Sequence, residues 1–475
     1  MCYNITMKQT LLTPAELNKK MEGFSLNYFL VDVRNDRESF YAIPDDQIQK
    51  YWLCYSGIVL NHIMDGDLEK AWEVIRSIPE EGQVRFARLG LSIVHPEITW
   101  KELTDIINYL KEINSPIWSV ILTAGRPSVL NGLQDISRLG PFFEKKKDLF
   151  IEDLKMLYEG ECVEFIWRLC LAEYKYQKNE LLEAEVLVSR TIKEFDRTSE
   201  RRLLFSALYL QFKILFAQHK TVSVESFIKS LNDFSKDAGK AEFSLNIDAA
   251  YVLFSIYNGN TTIAAEWLEN GAPDEYGDFN MLDIFRYLVK IRCYIITKDY
   301  AAVVALVERL RPPLEQGRRH MDLCELDILL SIAFYRTGKK ELAFECFERV
   351  LKLARRRKYY RIIADEGDAV IHILIDYMNE KGQSDFLMKL TEMTRSMAIL
   401  YPLYLKSQYT GGNTFTQMEI DILRLLEQGK NNEEIGEYFF ISINTVKYHL
   451  KKIFAKLEVN SATLAVWKAR VLKII

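Results

Sequence analysis

The chain has 475 residues, of which 62 are basic and 66 acidic, so its formal net charge is −4, and 49% of its residues are hydrophobic. This composition is that of an ordinary globular protein, and it argues against a disordered chain. No apolar run approaches the roughly 18–20 residues that a membrane-spanning helix needs. At this length we expect two to four domains, or one long repeat array with a small domain attached.

The cysteines and histidines carry no pattern that indicates a chemical site. The seven cysteines form no CxxC pair, their number is odd, and the six histidines are scattered. Reduced, packed thiols of this kind are typical of a cytoplasmic protein, and no secretory signal is visible. Phosphate-loop, dinucleotide-binding and nucleophile-elbow motifs are all missing from the sequence. We therefore expect no enzyme, with no catalytic residues, no cofactor and no metal.

Residues 1–45 form an N-terminal segment whose structure the sequence does not decide. The stretch "NYFLVDVRN" at 27–35 is apolar and β-branched enough to predict a short strand. From residue 46 to 400 the apolar residues follow helical spacing, and glycine and proline are rare. The prediction for this long region is all-α.

Within the helical region a small or polar turn residue is followed five positions later by alanine, at the start of an amphipathic helix. The pairs are Gly66 and Ala71, Asn179 and Ala184, Gly259 and Ala264, Thr297 and Ala302, and Gly338 and Ala343. A period of about 40 residues is typical of stacked helix pairs, in which a small side chain lets the second helix approach the first. The pattern resembles tetratricopeptide-type repeats and predicts an α-solenoid over 46–400. An irregular helical bundle is the alternative, and between 72 and 160 no clear unit is visible.

After the repeats, residues 401–414 include the polar, glycine-containing stretch "KSQYTGGNT", which predicts a linker. Residues 415–475 then have the signals of a small four-helix domain. Thr416 and Glu419 have capping-box spacing, Gly429 is a helix stop, and Asn431 with Glu434 repeats the box. Ser442 is placed to cap a third helix.

The third helix has two different faces. Val446, Leu450, Ile453 and Leu457 form one apolar stripe, whereas Asn444, Lys447, Tyr448, Lys451 and Lys452 lie on the other side. Residues 442–475 hold seven basic residues and one acidic residue, while residues 414–441 hold six acidic and two basic residues. A helix, a short turn and a basic helix in this order predict a helix-turn-helix that enters the DNA major groove. The alternative is a solvated lysine face.

The segment "LRLLEQGKNNEEIGEYFFISINTVKYHLKKIFAKLEV" closely resembles the LuxR-type helix-turn-helix, with T-V-K-x-H at the family's distance from the first two helices. The resemblance implies that Lys447, Tyr448 and Lys451 contact base edges. It also implies that Thr445, His449 and Lys452 lie near phosphates, with a surface histidine as the alternative for His449. Helix four is where such domains pair, through Ala465, Ala469 and Leu472, although these three could equally close the core.

Three positions depart from the family pattern. Met418 and Ala462 each stand where the family has arginine, so we expect Glu419 to lose its ion-pair partner. Glu458 stands where glycine usually ends the recognition helix. A positive φ at a glutamate costs on the order of 1 kcal/mol, so that corner is expected to be reshaped.

The helical region resembles, more weakly, the repeat domain of the large LuxR-type regulators of the maltotriose-responsive activator class. The similarity runs over about 160–405 and includes "ARRRKYYRIIADEGDAVIHIL". Those regulators carry an ATPase domain; because this sequence has no phosphate loop, ATP switching is not expected. Asp365 and Glu366 are interpreted as a helix cap and solvated charge, with a ligand site as the alternative.

Together these observations predict a bacterial, cytoplasmic transcription regulator. Its expected partners are double-stranded DNA, bound as a homodimer, a small-molecule, peptide or protein ligand in the repeats, and RNA polymerase as a further candidate; a membrane partner is not expected. The alternative hypothesis is an interaction scaffold whose C-terminal domain contacts protein rather than DNA. Substitution of Lys447 and Lys451 separates the two.

Overall fold

The computed structural model describes the following residues: 11–22, 33–79, 123, 125–148, 151, 162–194, 201–218, 220, 226–227, 230, 244–405, 417–439, 441–457, 459–472 and 474–475. Within them the chain is helical, without a strand ladder. The linker stretch 406–414, Thr416, Glu458 and most of the undecided region between 72 and 160 lie outside the described residues. None of the described helices is long and apolar enough to cross a membrane.

In the N-terminal part the described residues form six helices: α1 (Pro14–Glu22), α2 (Val33–Asn35), α3 (Arg37–Tyr41), α4 (Asp45–Ile48), α5 (Cys54–Met64) and α6 (Leu68–Ser77). The strand prediction was wrong where the structure describes it, because residues 33–35 form a helical turn; residues 27–32 are not described. A lone strand would leave backbone groups unpaired. Here Asn61 donates a side-chain hydrogen bond to the Val33 carbonyl at 3.1 Å.

The N-terminal helices and the first helix hairpin share one core. Leu17, Val33 and Phe40 are fully buried and pack with residues of α5, so the predicted boundary at residue 45 falls inside this core. Arg37 forms an ion pair with Asp278 at 2.9 Å, and Arg34 donates to the Phe279 carbonyl at 3.0 Å. These contacts attach the N-terminal part to the repeats.

The repeat region continues with α7 (Gly140–Lys145), α8 (Cys162–Gln177), α9 (Leu181–Glu194), α10 (Arg201–Ala217), α11 (Ser244–Tyr257), α12 (Thr262–Asn270), α13 (Ile284–Thr297), α14 (Tyr300–Gln316), α15 (His320–Arg336), α16 (Lys340–Arg357), α17 (Tyr360–Ala364), α18 (Asp368–Lys381) and α19 (Asp385–Leu400). Many neighbouring helices pack as hairpins, most extensively α8 with α9, α15 with α16 and α18 with α19, and α13 and α15 are buried almost all round. A helix that is buried on every side needs apolar residues on every side, which explains runs such as "ILLSIA" in α15.

The turn signature is confirmed in four hairpins and corrected in one. Gly66, Asn179, Gly259 and Gly338 all have positive φ, and the alanine five positions after each is fully or almost fully buried. In the remaining hairpin the turn residue is Lys298 (φ 63°), not Thr297, and the buried residue is Val303, not Ala302. Asp299 caps α14 by accepting from the Ala302 amide at 3.0 Å, which turns Ala302 partly outward.

The C-terminal domain contains α20 (Gln417–Glu427), α21 (Asn432–Phe439), α22 (Ile443–Leu457) and α23 (Ala462–Val471). Its core is separate from that of the repeats and gathers apolar residues from all four helices. The all-α prediction, repeats followed by a four-helix domain, is confirmed.

Candidate nucleic-acid interface and repeat cavity

The starts of α21 and α22 are held by the predicted caps. Asn431 accepts hydrogen bonds from the amides of Glu433 at 2.9 Å and Glu434 at 3.0 Å, and Glu434 accepts in return from the Asn431 amide at 2.8 Å. Ser442 accepts from the Thr445 amide at 3.2 Å. Gly429 ends α20 with a φ of 80°. These bonds fix the start of each helix, so the direction in which α22 presents its side chains is set locally.

The two faces of α22 are as predicted. Its apolar stripe is buried: Val446, Leu450, Ile453 and Leu457 are each at most 6% exposed. The four predicted contact residues on the opposite face are exposed: Lys447, Tyr448, Lys451 and Lys452. A single helix therefore ties its core face to the domain and projects a basic face outward, which is the arrangement that a groove-reading helix needs.

Tyr448 is held in place on that face. The Lys452 ammonium lies 4.6 Å from the centre of the Tyr448 ring, and the rings of Tyr448 and His449 meet edge to face at 5.7 Å. Thr445 and His449 are half-buried at the edge of the exposed face. The hydroxyls of Thr445 and Ser442 lie 2.8 Å apart. Asn444 belongs to α22, and its side chain lies outside the described residues.

Glu419 has an ion-pair partner, contrary to the expectation from Met418 and Ala462. Lys456 lies 2.6 Å from the Glu419 carboxylate, which is 3% exposed, so the pair links α20 to α22. The expectation was wrong because Lys456, on the third helix of the domain, takes the place of the family's arginines as the partner of Glu419. The ion pair holds α22 against α20.

The predicted dimer seam on α23 is corrected. Ala465 and Ala469 are fully buried within the domain, and Leu472 packs against the same core. The alternative interpretation, that these residues close the core, therefore applies to both alanines. Small residues are needed there because α23 packs closely on α20 and α22.

A second candidate site lies inside the repeats. A cavity of about 100 Å³ is enclosed by the inward faces of α8, α10, α11, α13, α15 and α17. One wall comes from the loop at 125–136, which is tied down from several sides. Arg126 pairs with Asp322 at 2.6 Å, Ser206 donates to the Arg126 carbonyl, and Asn246 donates to the Gly125 carbonyl.

Asp365 and Glu366 are not solvated; this interpretation was wrong. They are 4% and 1% exposed and lie at the cavity wall. Asp365 pairs with Arg361 and, at 2.9 Å, with Lys213, and it accepts from the Tyr176 hydroxyl at 2.6 Å. Glu366 pairs with Arg292 and accepts from the Tyr404 hydroxyl at 2.7 Å. The cause of the error is distance along the chain, since most of these partners come from other repeats.

The environment shifts the two carboxyl groups in opposite directions. Burial opposes ionisation of Asp365, but the charges of Arg361 and Lys213 outweigh it and hold its pKa below the usual value. Burial raises the pKa of Glu366 even though Arg292 is close. Neighbouring residues with opposite shifts mark a preorganised electrostatic site rather than a charged surface.

The charged residues that face the cavity were not predicted from the sequence. Lys213, in "FKILF", and Arg292, in "KIRCY", each stand within a mostly apolar stretch of a buried helix. A charged residue within an apolar stretch of a buried helix indicates a polar site in the interior. The sequence therefore contained a signal for this site. Ile443 at the start of α22 and Tyr438 on α21, which are 41% and 63% exposed, were also not singled out.

Comparison with known families matches the two parts of the chain separately. The model described as the MalT-like TPR region matches residues 159–380, and the model of the luxR family of bacterial regulatory proteins matches residues 413–469.

Individual relatives give the same division. Transcriptional regulatory protein LiaR of Bacillus subtilis is 48% identical over 52 residues, covering 11% of this chain and 25% of LiaR. HTH-type transcriptional regulator MalT of Klebsiella pneumoniae is 23% identical over 247 residues, covering 47% of this chain and 27% of MalT. HTH-type transcriptional regulator AlkS of Alcanivorax borkumensis is 43% identical over 58 residues, 12% of this chain and 7% of AlkS.

The chain thus spans about a quarter of the length of LiaR and of MalT. The likeness to LiaR and AlkS is short and strong, whereas the likeness to MalT is long and weak. Taken with the geometry, the matches show that residues 159–380 are similar to the MalT-like TPR region and that residues 413–469 are similar to the luxR family of bacterial regulatory proteins.

Proposed function

We propose that the protein is a cytoplasmic, DNA-binding transcription regulator whose helix α22 reads promoter DNA. The observation that carries the proposal is that the exposed basic face of α22 lies within the luxR-family match. Lys447, Tyr448 and Lys451 contact base edges in the major groove, and Thr445, His449 and Lys452 contact phosphates. Asn444 lies at the N-terminal end of the same helix, where side chains reach the groove floor.

The protein acts on DNA as a homodimer on two half-sites, with RNA polymerase as a further partner. Because Ala465 and Ala469 are buried, the paired surface has to use residues other than these two. Leu472 is half-buried at the end of α23 and remains a candidate. The bound half-sites are expected about one helical turn of DNA apart, or a multiple of it.

The repeats receive the signal, and the cavity beside Asp365 and Glu366 is the site where they do so. Support comes from its buried charges, because groups such as Asp365, Glu366 and Arg292, each at most 4% exposed, are costly to bury and are often retained for a function. A ligand can change DNA binding only if it favours one conformation or association state over another. Which conformation or association state binds promoter DNA depends on both parts of the protein together.

The DNA proposal is tested by fluorescence-anisotropy titration of the protein's own promoter fragment at two salt concentrations. Lys447→Ala/Lys451→Ala should weaken specific binding by about 100-fold at both salt concentrations, since two contacts to base edges are lost. Lys352→Ala/Lys381→Ala removes the same charge from exposed positions in the repeats and should bind as the wild type does. Equal affinities for both double variants would contradict the proposal.

A further inference from the structure

Two charged side chains of opposite sign reach the cavity from a network that is otherwise buried. The side chains of Lys213 and Glu325 are 26% and 28% exposed, whereas those of Asp365, Arg292 and Glu366 are 5% exposed or less. Lys213 is backed by Asp365 at 2.9 Å, and Glu325 is backed by Arg292 at 2.8 Å. Each exposed charge is thus oriented by a buried partner of opposite sign.

Tyr209 lines the same cavity as these two charges. It is one helical turn before Lys213 on α10, and its ring is held by Phe254 at 5.6 Å and Phe285 at 5.7 Å. Burial raises the pKa of Tyr209, and the charges of Lys213 and Glu325 act on it in opposite directions. Among the described residues its hydroxyl has no hydrogen-bond partner, so it can donate or accept in the cavity.

Two further lining groups are buried without a hydrogen-bond partner among the described residues. These are Oε1 of Gln177 and Nε of Arg126, in side chains that are 5% and 4% exposed. Buried polar atoms are nearly always satisfied, so an acceptor and a donor left open in one cavity point to something that completes them. The rest of the lining includes apolar side chains, such as Leu210, Leu253 and Leu288.

We propose that the cavity binds a small zwitterion of the α-amino-acid class, with its carboxylate on Lys213 and its ammonium on Glu325. Tyr209 and Gln177 supply neutral hydrogen bonds between the two charges. A volume of about 100 Å³ exceeds what one water needs, roughly 10–15 Å³, and suits a molecule of the size of alanine. This inference rests on the proposed signal-binding role of the repeats and names the ligand class.

The first test keeps the protein unchanged and varies the probe. Thermal unfolding of the full chain is followed with alanine at about 10 mM, with propionate, which lacks the ammonium, and with isopropylamine, which lacks the carboxylate. Alanine should raise Tm by about 2 °C or more, because only the folded state binds it, and neither analogue should do so. A shift with either analogue equal to that with alanine, or no shift with alanine, would overturn the assignment. So would tighter binding of the dipeptide Ala-Ala, which would indicate a peptide site.

The second test uses calorimetric titration of alanine into variants. Glu325→Gln and Lys213→Met should each weaken alanine binding at least about tenfold, since each removes one charge contact. The control Lys220→Met removes an exposed lysine that pairs with Glu185 outside the cavity, and it should leave the affinity unchanged. Undiminished binding in both cavity variants would overturn the inference. If Lys213→Met does not fold, the comparison of alanine with propionate and isopropylamine on the wild-type protein tests the inference instead.

Promoter binding, measured separately, distinguishes failure of this inference from failure of the proposed function. If the wild-type protein binds promoter DNA through α22 but does not bind alanine, the proposed DNA-binding function stands and the inferred zwitterion site is wrong. Wild-type protein that binds alanine but not promoter DNA leaves the cavity assignment intact and removes the DNA role.

Discussion

At the scale of single residues, buried carboxylates in this molecule act as connectors between helices that are distant in sequence. Asp365 joins α10 to the turn after α17, and Glu419 joins α20 to α22. Removing one partner of such a pair leaves an unpaired charge in a poorly solvated place. The stability of each domain therefore depends on buried ion pairs, which a count of surface salt bridges would not include.

Replacing Asp365 by asparagine should destabilise the repeats in a pH-dependent way. Because the folded pKa of Asp365 lies below its unfolded value, its ionisation stabilises the fold above a pH of about 4, and this stabilisation is lost as the pH falls through the folded pKa. The loss in unfolding free energy should be about 3–5 kcal/mol at neutral pH and should shrink in acid. Denaturant unfolding at several pH values measures it, with Glu380→Gln, a half-exposed partner of Lys340, as the control. A difference in unfolding free energy between wild type and the Asp365→Asn variant that grows as the pH falls would contradict this account.

Lys456 and Lys452, on the same helix, should differ in their effect on stability. Lys456→Met leaves Glu419 buried and should cost about 2–4 kcal/mol, whereas Lys452→Met should stay within about 0.5 kcal/mol because Lys452 is exposed. Urea unfolding followed by circular dichroism of the C-terminal domain compares them. Equal midpoints for the two variants would mean that the Glu419 pair contributes little.

How far the sequence predicts a residue depends on the range of the interactions that decide its environment. The stripe from Val446 to Leu457 and the cap at Ser442 follow from neighbours in the chain, and both predictions were confirmed. Asp365 was misjudged because Lys213 is more than a hundred residues away. The contact roles assigned to Lys447, Tyr448 and Lys451 stay predictions, since exposure alone does not identify a DNA contact.

At the scale of elements, the molecule repeats one device: a turn residue with positive φ, followed by a small buried residue where the second helix meets the first. The sequence located this device in four hairpins because glycine and asparagine favour positive φ. It missed Lys298 by one position because a lysine gives no such signal. Val303 then replaces the alanine, so the small-residue rule is a tendency of the packing and not a requirement.

Two glycine turns allow backbone strain to be separated from packing. Gly338→Ala meets nothing within 4 Å and should cost only the strain of φ 75°, about 1 kcal/mol. Gly66→Ala has the same φ, but its Cβ would lie 2.5 Å from Cβ of Pro313, so the cost should be larger by about 1–3 kcal/mol. Thermal unfolding of both variants gives the comparison. Equal losses would show that the N-terminal hairpin can shift away from α14 without cost.

At the scale of the whole molecule, the two parts of the chain differ in their charge. Residues 442–475 carry an excess of basic residues, while the chain as a whole is slightly acidic at −4. The repeats enclose a cavity with preorganised charges, and the C-terminal domain presents a basic helix outward. We infer that a ligand in the repeat cavity changes the affinity of the C-terminal domain for DNA, through a change in conformation or in association state.

The central claim, that α22 reads sequence, is tested most directly by selecting DNA from a random pool with the full chain and sequencing what is bound. The account predicts one enriched motif made of two related half-sites, kept by Lys352→Ala/Lys381→Ala and lost by Lys447→Ala/Lys451→Ala. A pool without any enriched motif, or the same motif recovered by both double variants, would contradict it.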